Sequence, residues 1–363
     1  MKHNENTPNP LQQQGSVKSK SKKRFLSTFV VIVIACVGFF FWQSSDFTML
    51  NLNSQIDERA ADVTPAESRH PAEFGETSRA VFITQGLYND SQAFSWKEFQ
   101  RFCNEYGFEM AVFDIESNGI QQEELAINHC IEQGYEVIFI NPNDRQGIVP
   151  ALMKAHEAGI IIGMFSQDLL PEDQQHRHFF AGVDYNRAGE IAGQALVERF
   201  PNGARVVEVG GQTGHNAQIK YHEGFRKALE NTNIELLDSQ SCNDWLVSDA
   251  IVNTKYLINK YGDEIDGVFV HWDKGATGVI QTLHNAGMYD VFVVGVDGNR
   301  TGYQQVTDGT QAVSIGVNFS NMAVMSMDLA RRMINGETVP AINFAAFDVI
   351  TLKTIGNFPW PEW

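Results

Sequence analysis

The run Val291-Phe292-Val293-Val294-Gly295-Val296 stops at Asp297-Gly298, and this pattern constrains the fold more than any other feature of the chain. Consecutive β-branched and aromatic residues without polar alternation read as a strand buried on both faces, as in a parallel sheet. The pattern recurs. Strands are expected at residues 80–84, 108–114, 137–141, 160–165 and 179–183, then at 205–209, 235–240, 267–271, 291–296 and 312–316. Helical periods fill the gaps, as at 121–133 with Leu125, Ile127 and Ile131, and at 188–200 with Ile191, Leu196 and Val197. Alternating strand and helix implies parallel sheets with right-handed crossovers. Ten strands are many for one open sheet, so an α/β chain with two Rossmann-like lobes is expected.

The 363 residues leave room for two lobes of roughly 150 residues each, by the usual size of domains. The first 24 residues carry Lys2, Lys18, Lys20, Lys22, Lys23 and Arg24 against Glu5. Taking that +5 from the net −17 of the chain leaves −22 on the remainder. So acidic a body repels phosphate backbones, and nucleic acid is not expected as a partner. Residues 25–42 (FLSTFVVIVIACVGFFFW) carry no charge and would span ~27 Å as a helix, near the thickness of a bilayer core. The basic tail would stay in the cytoplasm, which places everything after Trp42 on the extracytoplasmic (periplasmic) face of a bacterial inner membrane. Three fates are open for the segment: an uncleaved anchor, a lipoprotein signal ending at Val33-Ile34-Ala35-Cys36, or a cleaved signal peptide. Residues 43–78, polar and containing Pro65 and Pro71, read as a linker. An oxidising compartment permits a Cys103–Cys130 disulfide, and the alternative is that these two and Cys242 are buried thiols.

In open α/β sheets ligands bind beyond the carboxyl ends of the strands. Polar residues collect there: Gln85 and Asn89 after the first strand, Ser166, Gln167 and Asp168 after the fourth. In the second series Asn216, Trp245, Trp272, Asp273, Asp297 and Asn318 follow successive strands. Carboxylates and amides with aromatic faces suit a polyhydroxylated ligand, whose hydroxyls donate and accept and whose C–H face packs on rings. Asp273 and Asp297 have a second reading as helix caps or turn formers, and Trp245 and Trp272 as core. The segment His176-Arg177-His178 lacks further ligands at metal spacing and reads as an exposed loop. Gly210-Gly211-Gln212-Thr213-Gly214 reads as a loop of close approach, since it lacks the Lys-Ser/Thr ending of a phosphate loop. No nucleophile–base pair stands out, so neither an enzyme nor a cofactor is expected.

Several blocks in order carry a family resemblance. They are Ile138-Phe139-Ile140-Asn141-Pro142-Asn143-Asp144, Ala181-Gly182-Val183-Asp184 with Ala188-Gly189 and Ala192-Gly193, and His222-Glu223-Gly224-Phe225. With Val293-Val294-Gly295-Val296-Asp297-Gly298 and Asp308-Gly309, they resemble periplasmic sugar-binding proteins of the ribose-binding type. That type I periplasmic binding protein fold is shared with repressor effector domains, and the resemblance covers about residues 79–363. It implies one lobe of residues 79–183 and 318–345 and another of 184–317 and 346–363. Three crossing segments, near Val183, Val317 and Ala345, would form the hinge. It further implies a ligand trapped between the lobes, a membrane permease or a chemoreceptor as reader, and a monomeric binding domain.

Position by position, Asn89 and Asp297 match polar ligand contacts, and Trp245 the aromatic contact if one residue is inserted. Gln85 replaces a small hydroxyl contact and Trp272 an amide. Ser166-Gln167 stand where the family has an Asp-Arg pair, Ser91-Gln92 where it has an aromatic pair. Ile219, beside Lys220, replaces an arginine, and Val317, beside Asn318, a glutamine. The expectation is an extracytoplasmic solute-binding protein that takes a carbohydrate or polyol and delivers it to an ABC-type permease. The alternative is a tethered sensing domain that signals to a histidine kinase or chemoreceptor. A repressor is disfavoured by the apolar span where a helix-turn-helix would be needed.

Overall fold

The computed structural model describes residues 77–115 and 119–363. The basic tail, the apolar span and all but the last two residues of the linker lie outside that range.

All ten expected strands form, with ends displaced by up to three residues. The first sheet holds β1 (Ser78–Thr84), β2 (Phe108–Asp114), β3 (Val137–Ile140), β4 (Ile161–Ser166) and β5 (Phe179–Gly182). The second holds β6 (Ala204–Gln212), β7 (Ile234–Cys242), β8 (Gly267–Val270), β9 (Phe292–Asp297) and β10 (Val313–Val317). Two short strands absent from the sequence reading, β11 (Ile342–Phe344) and β12 (Phe347–Ile350), each add to one sheet edge. The orders are β11-β5-β4-β3-β1-β2 and β12-β10-β9-β8-β6-β7. Every pairing is parallel except β10 with β12. The chain passes between sheets after β5, after β10 and between β11 and β12.

The helices are α1 (Asp90–Phe102), α2 (Ile120–Gln133), α3 (Val149–Glu157), α4 (Tyr185–Arg199) and α5 (Asn216–Leu229). They continue with α6 (Val247–Tyr261), α7 (Asp273–Asn285), α8 (Arg300–Thr307) and α9 (Phe319–Ile334). Although α9 follows β10, it returns to the first lobe. Arg331 there donates to the carbonyls of Tyr106 and Gly107, and Ser320 to the buried Glu98 of α1.

Each lobe has its own core. In the first, Phe82, Phe99, Phe139 and Phe165 interlock, with centroids 4.9 Å apart for Phe82–Phe99 and 5.0 Å for Phe99–Phe139. Such aromatic pairs contribute about 0.5–1.5 kcal/mol each beyond their area burial. The second lobe packs Val207, Val209, Val268 and Val270 against Val279 and Leu283 of α7. Two glycines set the α4–α5 contact. A Cβ on Gly189 would lie 2.1 Å from the carbonyl oxygen of Tyr221, and one on Gly224 1.9 Å from that of Asn186. Only hydrogen fits between these helices, and their closeness brings the rings of Tyr185 and Tyr221 to 5.3 Å.

Two sequence expectations need revision or completion. The segment His176-Arg177-His178 is not an exposed loop: Arg177 is buried and its guanidinium grips Asp168 in a two-pronged ion pair. The neighbouring His178 accepts from the Ile162 backbone N–H and stacks on His156, and burial holds its pKa down at about 4. The thiols of Cys103, Cys130 and Cys242 are free, with Cys103 only partly buried.

Candidate functional site

The carboxyl edges of both sheets gather the polar residues that the sequence placed there, and several of them have partners within their own lobe. On the first lobe, Gln85 donates to the Pro142 carbonyl at the end of β3. Asn89 is exposed and caps α1, its Oδ1 accepting from the Ser91 backbone at 3.0 Å and the Ser91 hydroxyl at 2.7 Å. Ser166 ends β4 at a positive φ of 64°, and its carbonyl accepts from the Tyr185 hydroxyl at 3.1 Å. Gln167 is half-buried, its backbone turned onto Phe165. Asp168 is engaged internally. Both its oxygens are taken by Arg177, at 2.7 Å for Nη2, and one also accepts from the Leu169 backbone. That carboxylate locks a loop.

On the second lobe, Asp273 is likewise engaged internally. It is fully buried and accepts from Gln311 Nε2 at 2.7 Å, Ser314 Oγ at 2.7 Å and the Gly298 backbone at 2.9 Å. Burial, only partly offset by these bonds, raises its pKa to about 7. It braces the turn after β9. Asp297 occupies that turn at a φ of 124°, a conformation strained for any residue with a Cβ. Burial pushes its pKa well above the carboxylate range, and the nearby Asp273 adds to this. Asn216 opens α5 and is half-buried, while Asn318 caps α9 by accepting from Asn321.

The aromatic residues form a wall. Trp245 meets Trp272 edge-on at 5.5 Å and His215 at the same distance, and Tyr221 meets His271 at 5.2 Å. A Cβ on Gly211 would strike the Trp245 ring at 2.0 Å, so the glycine loop is one of close approach. Behind the wall, Glu208 of β6 is fully buried and binds His271 Nε2 at 2.8 Å, His222 Nδ1 at 2.5 Å and the Ser239 hydroxyl at 2.5 Å. His271 in turn accepts from the Gly211 backbone through Nδ1, which ties the loop carrying the wall to this buried charge.

Sequence reasoning missed four residues at this edge. Asn141 is buried with its Oδ1 lacking a partner among the described residues. Its place directly after the apolar β3 was the signal. Arg145 donates to the carbonyls of Asp168 and Leu169, and its charge is felt by Tyr185 and His215. Tyr185 and Tyr221 lie within the field of Asp297, and burial raises both hydroxyl pKa values. Both lie on helices, where an aromatic residue gives no sign of pointing to a cleft. Trp272 Nε1 is a second buried polar atom without a partner among the described residues.

At the rim of this cleft the lobes touch. Lys274 pairs with Asp90, and Lys97 with Glu362. A pocket of about 390 Å³ opens there, lined by Phe94, Arg300 and Trp363 among others, and by none of the strand-end candidates. Among the described residues no cluster of metal-binding side chains is present.

The comparisons agree with this architecture. The chain is 28% identical over 244 residues to the ribose import binding protein of Escherichia coli, covering 67% of this chain and 80% of that one. It is 24% identical over 232 residues to the D-xylose-binding periplasmic protein of Escherichia coli, covering 62% and 69%. A periplasmic ribose ABC transporter structure from Conexibacter woesei superposes with a TM-score of 0.73 at 18% identity, over 78% of this chain and 94% of that one. An Actinobacillus succinogenes solute-binding protein with bound D-allose gives 0.70 at 21% identity, over 77% and 100%. The model of the periplasmic binding protein domain matches residues 81–338, and the chain belongs to that family.

Proposed function

We propose that this protein binds a small carbohydrate or polyol outside the cytoplasm by closing two lobes around it, and hands it to an ABC-type permease. The observation that carries this reading is the composition of the two sheet edges. The edge of the second sheet carries the paired rings of Trp245 and Trp272 with Asp297, that of the first carries Gln85 and Asn141, and buried donor and acceptor atoms on Trp272 and Asn141 are left without partners among the described residues. A buried polar atom without a partner carries a cost that a ligand hydroxyl relieves. The named relatives support the ligand class, being binding proteins for ribose, D-xylose and xylitol. They include import proteins and no named sensor, so the sensing alternative is not favoured. The family is one of binding proteins, and an enzymatic role is not part of this reading.

In the same reading, residues 79–183 with 318–345 and 184–317 with 346–363 move as two bodies, and the three crossings act as the hinge. Residues 25–42 hold a monomeric binding domain at the outer face of the inner membrane. A thermal-shift screen of the purified protein against pentoses, hexoses, polyols and amino acids tests the ligand class. A ligand at a hundred times its dissociation constant adds about 2.7 kcal/mol to the folded state, a rise of several degrees. A response to amino acids with none to sugars or polyols would overturn the reading.

A further inference from the structure

A single imidazole connects the two rings of the tryptophan pair. His271 directly follows β8, is buried, and its backbone N–H donates to the Val209 carbonyl of β6 at 3.2 Å. Its ring packs on those of Tyr221 at 5.2 Å and Phe269 at 4.9 Å. The two ring nitrogens have different partners. Nδ1 lies 3.2 Å from the Gly211 backbone nitrogen, and a backbone N–H only donates, so Nδ1 is the acceptor. The ring proton therefore sits on Nε2 and is donated to Glu208 Oε1 at 2.8 Å. Glu208 holds this tautomer because a carboxylate only accepts, and its other oxygen is already taken by the Ser239 hydroxyl and His222 Nδ1, each at 2.5 Å.

The Gly211 bond holds the seat of Trp245. A Cβ on Gly211 would lie 2.0 Å from the Trp245 ring, so the glycine backbone lies directly against the indole. A second neighbour of that ring, His215 at 5.5 Å, belongs to the same loop. A third is Trp272 at 5.5 Å, which follows His271 in the chain. The Trp272 ring in turn lies against Gly275, where a Cβ would come within 2.3 Å. Trp245 is thus seated on the loop that His271 grips, and Trp272 on the residue next to it.

We propose, resting on the carbohydrate reading above, that His271 is the positioning residue of this site. With its proton fixed on Nε2 by Glu208, its Nδ1 holds Gly211 and so sets the angle and spacing of Trp245 against Trp272. Its action runs through the glycine loop and not through contact with ligand. A stacking face ordered before the ligand arrives spares the complex the cost of ordering it on binding.

Two substitutions separate the nitrogens. His271→Asn places an amide oxygen at the Nδ1 position and keeps the acceptor for Gly211, whereas His271→Gln reaches the Nε2 position and keeps the bond to Glu208 alone. The full chain and both variants are read by the exciton couplet of the paired indoles in circular dichroism, with Trp245→Phe marking its loss, and by isothermal titration with D-ribose, D-xylose and xylitol. His271→Gln is expected to lose most of the couplet and to bind at least roughly tenfold more weakly, the share of one hydrogen bond. His271→Asn is expected to keep the couplet and to stay within about threefold of the unaltered affinity. An unchanged couplet in His271→Gln overturns the proposal. So does equal loss in both variants, which would make the imidazole a matter of packing, and so does unaltered affinity once the couplet is gone. Silence of the unaltered protein toward all three ligands counts against the carbohydrate reading, and the couplet then decides the positioning by itself. Should neither variant fold, NMR of the imidazole nitrogens in the unaltered protein decides: a proton on His271 Nδ1 overturns the proposal, and a bare Nδ1 beside a protonated Nε2 upholds it.

Discussion

Replacing Glu208 with glutamine tests the electrostatic account of the second lobe most directly. Burial by itself would raise the pKa of this carboxyl, but the hydrogen bonds of His222 and His271 and the charge of His222 outweigh it and hold the value at about 2. Against an ordinary 4.5, at about 1.4 kcal/mol per pH unit, the network contributes about 3 kcal/mol to the folded state. The sign follows from the direction. A depressed carboxyl stabilises fully above its unfolded value, and the contribution is lost as pH falls from about 4.5 to about 2. His222 reports the same contact from the other side. Its pKa is raised by its bond to Glu208, so its share is full below the ordinary 6.5 and fades as pH climbs through its folded value. The contact is therefore strongest between roughly pH 5 and 6.5. Urea unfolding at pH 6 should show Glu208→Gln destabilised by about 3 kcal/mol, and the gap to the unaltered protein should narrow by pH 3. NMR titration of His222 in the variant should return its pKa toward the ordinary range. Equal destabilisation at both pH values would refute the reasoning, since it would mean that packing and not charge was lost.

Three further outcomes follow from the packing. Arg177→Ala strands the Asp168 carboxylate, so a loss of about 3–5 kcal/mol in urea unfolding is expected, with Arg177→Lys failing to restore the two-pronged pair. Gly224→Ala forces a methyl against the Asn186 carbonyl, and a midpoint shift equivalent to about 1–3 kcal/mol should result; an unchanged midpoint would contradict the α4–α5 geometry. Trp363 stacks on Phe94, meets Phe319 and accepts from the Arg300 backbone, so it joins the lobes at the cleft rim. Trp363→Ala should weaken that junction by about 1–2 kcal/mol, seen as a larger radius of gyration in small-angle scattering with ligand absent; unchanged scattering would contradict the bridging role.

The strands were legible because a fully buried parallel strand must be an unbroken apolar run, and only a few segments of this chain qualify. The strands β11 and β12 were not, since three or four residues at a sheet edge carry no period to read. The strand ends were legible as places but not as roles. Asp168, Asp273 and Asp297 look alike in sequence, each a carboxylate closing an apolar run. What separates them is the partner each finds: Arg177, brought alongside Asp168 by the next loop; Gln311 and Ser314, brought to Asp273 by β10 and the turn before it; and, among the described residues, the amide of Asn299 for Asp297. Partners nine to forty-one positions away cannot be read from a local pattern. The same logic explains why Asn141 was passed over. A short amide after a strand has many uses, and only the fold shows that its oxygen has been left unbonded. A candidate residue at a strand end therefore becomes a candidate contact when its own lobe leaves it unsatisfied, and by that criterion Asn141 and Trp272 come forward while Asp168 and Asp273 recede.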